Sequence, residues 1–233
     1  MICNSLECKY NGVFLGGAIT VFIVLLTFGI FDIRFDYFIK SVHEVGSEKV
    51  ILTFDDGPNT STLKVLNVLK KHEVGAVFFL IGQCIVENPQ ITNTLKSSGM
   101  VLGNHSYSHS GRFAFMTTSY ICKEISKTEE LLGTHSINLF RAPFGITSPQ
   151  IARAVRKMGM KSIGWRVRSL DTIIDNKDKL IKKILRQSRK GSIILLHESG
   201  KVTASSLDEL IIKLKSSGLN IASNEEIKTI LHV

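Results

Sequence analysis

The chain of 233 residues is 44% hydrophobic and 21% charged, with 29 Lys and Arg against 20 Asp and Glu and a formal net charge of +9. That composition suits one sizeable globular domain behind a short N-terminal segment, and it excludes a disordered, collagenous or repetitive chain. Cys3, Cys8, Cys84 and Cys122 form no C-x-x-C pair and are too sparse for a disulfide scaffold. No basic run is interleaved with aromatics as a single-strand nucleic-acid groove requires, so no nucleic-acid partner is expected.

After a tail over residues 1–12, residues 13–31 carry no charge and are mostly Val, Ile, Leu and Phe. As a helix such a run spans roughly 28 Å, close to the thickness of a bilayer core. It is longer than the apolar part of a secretory signal. Only Thr27-Phe28-Gly29 comes near a small-x-small cleavage site, so an uncleaved transmembrane anchor is predicted. Lys9 lies on one side, and Arg34, Lys40 and Lys49 on the other, a weak lean toward a cytoplasmic domain. Residues 32–48 read as a juxtamembrane linker and residues 49–233 as the main domain.

Within that domain strand-like runs alternate with helical patterns. Strands are predicted at 50–54, 76–81, 101–103, 139–141, 162–165, 192–196 and 220–222. Helices are predicted at 61–72, 89–98, 118–132, 149–158, 177–189, 206–217 and 225–231. Gly99, Gly159 and Gly218 fall just past helices, where a C-cap glycine belongs. Alternating βα units imply a parallel sheet with helices outside, and this number of units suits a distorted or incomplete barrel. No G-x-G-x-x-G or P-loop follows the first strand, so no nucleotide cofactor is expected.

The chemistry-bearing residues cluster at strand ends. In Thr53-Phe54-Asp55-Asp56-Gly57-Pro58 two carboxylates stand side by side at the C-terminal end of the first strand, where α/β barrels place their chemistry. Adjacent strand side chains point to opposite faces. Gly57-Pro58 is expected to end the strand at once and turn both carboxylates to one site. His105 and His109, four apart, are expected on one side of a helical turn, a spacing that suits two imidazoles on one metal. Two imidazoles and a carboxylate leave an open position, the composition of a catalytic zinc site. Arg141 can pair with a carboxylate, and the loop through Pro143 and Gly145 can aim backbone N–H groups at an oxyanion. His197 ends the 192–196 strand, placed as a general acid.

Through Asp55-Asp56-Gly57-Pro58-Asn59, Ala76-Val77-Phe78-Phe79 and Gly103-Asn104-His105-Ser106, the chain from about Lys49 onward resembles the NodB-homology polysaccharide deacetylases, carbohydrate esterase family four. The resemblance implies a distorted (β/α) barrel of about seven parallel strands. It implies Asp55 as the general base, and Asp56, His105 and His109 as ligands of one divalent metal, usually zinc. It implies Arg141 orienting Asp55, the Phe144 N–H at the oxyanion, and Leu195 lining the acetyl pocket. His197 would protonate the leaving amine, with Asp171 keeping it protonated. The family's fourth motif, Asp-x-x-Asp-Trp, departs here: Arg168 stands for the first Asp and Thr172 for the Trp.

The expected function is removal of N-acetyl groups from N-acetylglucosamine-type residues of a polysaccharide, by a membrane-anchored domain on the extracytoplasmic side. The alternatives are an O-acetyl esterase on a substituted glycan and a non-catalytic glycan-binding barrel. Arg153, Arg156, Lys157, Lys161, Arg166 and Arg168 follow one another with no intervening acid, which suits an anionic glycan or a solvated helix face.

Overall fold

Buried apolar runs lay down the sheet. In the computed structural model, which describes residues 32–232 together with Gly17 and Thr20, seven strands form one all-parallel sheet. They are β1 (Ile51–Gly57), β2 (Ala76–Leu80), β3 (Val101–Asn104), β4 (Ser136–Phe140), β5 (Lys161–Ser162), β6 (Val167–Arg168) and β7 (Ile193–His197). Their order is β5-β4-β3-β2-β1-β7-β6. The two edges, β5 and β6, are not paired with each other, so the sheet curls into a barrel left open on one side. The expected anchor at 13–31 lies outside the described residues save Gly17 and Thr20. Among the described residues no helix is long and apolar enough to cross a membrane.

The helices are α1 (Thr62–Lys71), α2 (Gly82–Glu87), α3 (Pro89–Ser97), α4 (Thr118–Leu132), α5 (Pro149–Lys157), α6 (Lys177–Gln187), α7 (Thr203–Ser216) and α8 (Asn224–Leu231). Side chains of Thr117, Ser148, Asn176 and Ser223 each accept a backbone N–H in the first turn of α4, α5, α6 and α8, which satisfies donors a helix start leaves orphaned. Gly99, Gly159 and Gly218 all take positive φ just past α3, α5 and α7.

The period of two along the strands sorts their side chains into two cores. Leu52 and Phe54 of β1, Phe78 and Leu80 of β2, and Ile194 and Leu196 of β7 pack outward against the helices. Ile51, Val77, Phe79, Val101, Leu139 and Ile193 share a second cluster, on the opposite faces of the same strands, with Ile227 and Leu231 of α8. α8 thereby closes the end of the barrel where the strands begin. Phe54 and Phe78 stack at 5.2 Å between centroids, and truncating such a fully buried ring costs about 3–5 kcal/mol.

Three elements differ from the predictions. Residues 220–222 make no strand, only a bridge from Ile221 to Val50. Both edges of β1 are already taken by β2 and β7, so that segment pairs only at Val50, the residue before β1 begins. The seventh strand is instead Val167–Arg168, a two-residue ladder too short to show a period. Helix α2 was also not predicted, for the same reason of length.

Residues 33–45 lie against the barrel. Val42 N–H donates to Ser162 O at 2.9 Å, Gly164 N–H to Val42 O at 2.9 Å, and Val45 N–H to Gly191 O at 2.8 Å. This ties the β5 edge to the start of β7. Ile33 is buried against Trp165 and Leu195.

Candidate active site

β1 ends at Gly57, directly before Pro58, as expected, but before that end its register against β2 slips between Asp55 and Gly57, a bulge at which Asp56 takes φ 71°. The bulge, not the strand end, brings two adjacent carboxylates to one site, because the extra residue re-aims one side chain without breaking the ladder. Thr53 and Asp55, two apart, share the inner face of β1.

Arg141, directly after β4, is fully buried beneath them. Its Nη1 donates to Asp55 Oδ1 at 2.7 Å and to Thr53 Oγ1 at 2.8 Å. Its Nε donates to Ile163 O at 3.1 Å and its Nη2 to Gly164 O at 2.8 Å. The guanidinium carbon sits 4.2 Å from the Phe79 ring centroid. Burial draws the guanidinium pKa down, and the Asp55 carboxylate opposes it. A buried cation so held fixes the orientation of its carboxylate partner.

His105 and His109 do not lie on a helical turn. The chain after β3 is an irregular loop in which Ser106 and His109 both take positive φ, 65° and 47°. Asn104 Oδ1 accepts the Ser106 N–H, Ser106 Oγ accepts the His109 N–H, and Glu124 of α4 accepts the Ser108 N–H. These bonds do the work that helical periodicity was expected to do. Both Nε2 atoms face one oxygen, Asp56 Oδ1, at 3.5 Å from His105 and 3.4 Å from His109. His105 Nδ1 lies 2.8 Å from Arg141 O, an arrangement in which Nδ1–H donates and Nε2 keeps a free lone pair.

The three ligand atoms all lie within 4.8 Å of one another. Donors about 2.0–2.1 Å from a tetrahedral zinc are about 3.4 Å apart, so the observed spacings fit one ion. Charge states fit as well. Burial would raise the Asp56 carboxyl, but the neighbouring imidazoles of His105, His109 and His197 outweigh it and hold it at about 2. Burial, then the His105 imidazole, pushes His109 down to about 4. A carboxylate and a neutral imidazole are what metal ligation requires.

Opposite this cluster stands His197 at the end of β7. Its Nδ1 lies 2.8 Å from Asp171 Oδ1, and its backbone N–H donates to Asp171 Oδ2 at 2.7 Å. Ser169 Oγ and Thr203 Oγ1 also donate to that carboxylate, at 2.9 and 2.6 Å. Burial disfavours the imidazolium, but the Asp171 hydrogen bond and the Asp55 and Asp171 charges overcome it, so the His197 pKa is raised. Burial would raise Asp171 too, and its bonds to His197 and Thr203 hold it low instead.

A cavity of about 250 Å³ joins these groups, its floor made by Leu195 and its walls by Phe144, Gly145, Trp165 and the segment from Arg168 to Ile173. The Phe144 ring rests on His109 at 4.4 Å between centroids, and Phe144 itself takes φ 60°. A Cβ at Gly145 would collide with the Trp165 indole, so glycine lets that indole back the cavity. Arg168 and Thr172 both line the cavity, at the departure from the family's fourth motif.

Several neighbours escaped sequence reasoning. Thr53 had a signal, the period of two from Asp55. Ser169 and Thr203, which clamp Asp171, had none. Neither did Glu198: it is buried, it accepts from Thr62 Oγ1, and burial pushes its carboxyl up to about 8.

The arrangement pairs three donors that could hold a cation with an Arg-held carboxylate on one flank and an Asp-held imidazole on the other, at the C-terminal rim of an open parallel barrel. A family model for polysaccharide deacetylases matches residues 43–163. The chain belongs to that family, which its solved members name carbohydrate esterase family four. It is 32% identical to the peptidoglycan-N-acetylglucosamine deacetylase PgdA of Listeria monocytogenes over 78% of this chain, and it spans only 39% of that protein. The Bc1960 peptidoglycan N-acetylglucosamine deacetylase superposes with a TM-score of 0.73 at 31% identity, covering 81% of this chain and 91% of that one. BA3943 of Bacillus anthracis, described as a family-four pseudoenzyme, superposes with a TM-score of 0.75 at 26% identity, covering 82% of this chain and 69% of that one.

Proposed function

We propose that this protein is a metal-dependent hydrolase that removes N-acetyl groups from N-acetylglucosamine-type residues of an envelope polysaccharide. Residues 13–31 would hold it to the membrane, with the barrel on the extracytoplasmic side where such a polymer lies. The observation that carries the reading is the convergence of Asp56, His105 and His109 within 4.8 Å, between the Asp55–Arg141 and Asp171–His197 pairs.

Asp56 Oδ1 and the Nε2 atoms of His105 and His109 would hold the cation, zinc by the character of the donors. When bound it supplies polarisation of the acetyl carbonyl and a lowered pKa for water. Asp55, oriented by Arg141, takes the proton of the attacking water. The Phe144 N–H is assigned to the oxyanion, where a positioned donor is worth roughly 3–4 kcal/mol. His197, kept protonated by Asp171, passes its proton to the departing amine nitrogen. Leu195 and Trp165 bound the space for the acetyl methyl group.

The test is acetate release by the full chain in detergent from N-acetylglucosamine oligomers, with and without chelator, and from acetylated xylan beside them. Chelator-sensitive release, restored by zinc and lost in His197→Ala, is expected. Faster release from the xylan would assign an O-ester instead. The likeness to a pseudoenzyme supports a third reading, a glycan-binding barrel without catalysis. No release from folded, zinc-loaded protein would establish that one.

A further inference from the structure

The segment at 32–48 reads as a linker in sequence, yet its residues 33–45 bridge the open side of the barrel. A single turn at Ile33–Phe35 starts on Asp32, whose carboxylate accepts the Arg34 N–H at 3.0 Å, and ends on Asp36, which takes φ 53°. Asp36 then pins the chain that follows: its Oδ1 accepts the Ser41 N–H at 2.8 Å and lies 2.8 Å from His43 Nε2. Ser41 Oγ and Ser162 Oγ bond at 2.7 Å, Val42 bridges Ile163, and Glu44 bridges Ser192 just before β7. The segment is a strap, fixed at both ends of the gap that the strands leave.

What the strap places is Ile33. Among the described residues, Ile33, Trp165 and Leu195 form a cluster of their own, and Ile33 is only 1% exposed. Trp165 and Leu195 are the wall and floor of the acyl cavity, and Ile33 stands behind them rather than among the lining residues. The indole already abuts Gly145 too closely for a Cβ there, so it has no room to yield toward that loop. Interiors are close-packed, and a void is filled only in part by its neighbours. Space opened at Ile33 therefore lets the wall and floor recede from the cavity. The strap also braces the base: Gly164 N–H donates to Val42 O, and Gly164 O accepts from Arg141, which holds Asp55. Ile33 precedes the family match at 43–163, so this backing comes from outside the matched stretch.

We propose that Ile33 is a positioning residue that fixes the depth of the acyl pocket, so that the strap restricts the pocket to acetyl and excludes an acyl group one carbon longer. The proposal rests on the reading of the protein as a hydrolase of acylated sugars, and it adds the residue that sets acyl size.

The experiment gives the full chain, in detergent with zinc, two chitotetraoses that carry N-acetyl or N-propionyl groups. The readout is the ratio of their kcat/KM values. One methylene in an apolar pocket is worth roughly 10- to 200-fold in discrimination. Ile33→Ala is expected to raise the propionyl-to-acetyl ratio about tenfold, and Ile33→Val, which removes a single methylene, about threefold. Ile227→Ala softens the cluster where the strands begin, away from this wall, and should leave the ratio unchanged. An unchanged ratio in the Ile33 variants, or an equal rise in Ile227→Ala, would overturn the proposal. Should Ile33→Ala fail to fold, Ile33→Val decides.

Trp165 is the single tryptophan of the chain, so its emission follows acetate and propionate entering the same pocket without turnover. Ile33→Ala should shift the affinity ratio toward propionate by a similar factor, and Ile227→Ala should not. Binding that shifts in this way without release of any acyl group removes only the deacetylase reading. Release with an unshifted preference removes only the role of Ile33. Neither release nor binding would remove the acyl pocket and the proposal with it.

Discussion

Glu198 offers a test of the electrostatics of the site that needs no substrate. Its carboxyl is buried, accepts one hydrogen bond from Thr62 Oγ1 and leaves Oε1 without a partner. Burial, aided by the Asp56 and Asp55 charges, lifts it to about 8. A carboxyl raised in the folded state holds a proton that the unfolded chain has already lost, so stability must fall as pH rises between the two pKa values. From an ordinary value near 4.5 to about 8 the slope approaches 1.4 kcal/mol per pH unit, or about 2 kcal/mol between pH 6 and pH 8. Glu198→Gln keeps the shape and cannot ionise, so this fall should vanish. Urea unfolding of both proteins at pH 6 and pH 8, with chelator present throughout, isolates the effect as a difference of differences. With an m-value of about 2–3 kcal/mol/M, the wild-type midpoint should drop by roughly 1 M more than that of the variant. Parallel behaviour of the two proteins would refute a protonated, buried Glu198.

Three further outcomes follow from the same geometry. Asp171→Asn removes the partner that keeps His197 protonated, so the basic limb of kcat/KM should move to lower pH; an unmoved limb would separate His197 from the proton transfer. A Cβ at Gly200 would overlap Thr203 Oγ1 and lie 2.7 Å from Asp171 Oδ2, so Gly200→Ala should cut kcat/KM by about 10- to 100-fold with little change in the unfolding midpoint. Arg141→Met leaves Asp55 buried without its cation and should cost about 3–5 kcal/mol by urea unfolding, whereas a loss below 1 kcal/mol would contradict the role of this pair in the core.

Much of the architecture was legible because it is written locally. The apolar runs at 50–54, 76–81 and 192–196 are long enough to announce strands, and glycines at 99, 159 and 218 mark helix ends by a conformation few other residues adopt. Two-residue β6 could not be read, because its apolar content is smaller than any period, and 220–222 was misread because strand character does not reveal whether a free edge exists to pair with. Within the site, the Asp55-Asp56 and His105–His109 spacings were visible as chemistry, but their conformations were not. The pairs came together through a bulge and through a loop bonded to Asn104, Ser106 and Glu124.

By itself the sequence determined the inventory: which strands carry acids, imidazoles and a guanidinium at their ends, and which family those motifs resemble. Side-chain chemistry and short-range periodicity are covalent properties of the chain, and they survive without a fold. Only the tertiary structure decided that Arg141 lies fully buried against Asp55 and Thr53, and that Asp171 clamps His197 with help from Ser169 and Thr203. It also set Ile33 behind Trp165 and Leu195 and lifted the Glu198 carboxyl. Each of these joins residues distant along the chain or depends on the water excluded between them. Partner choice and local dielectric come into being when the sheet curls and its interior closes, and no spacing in the sequence encodes them.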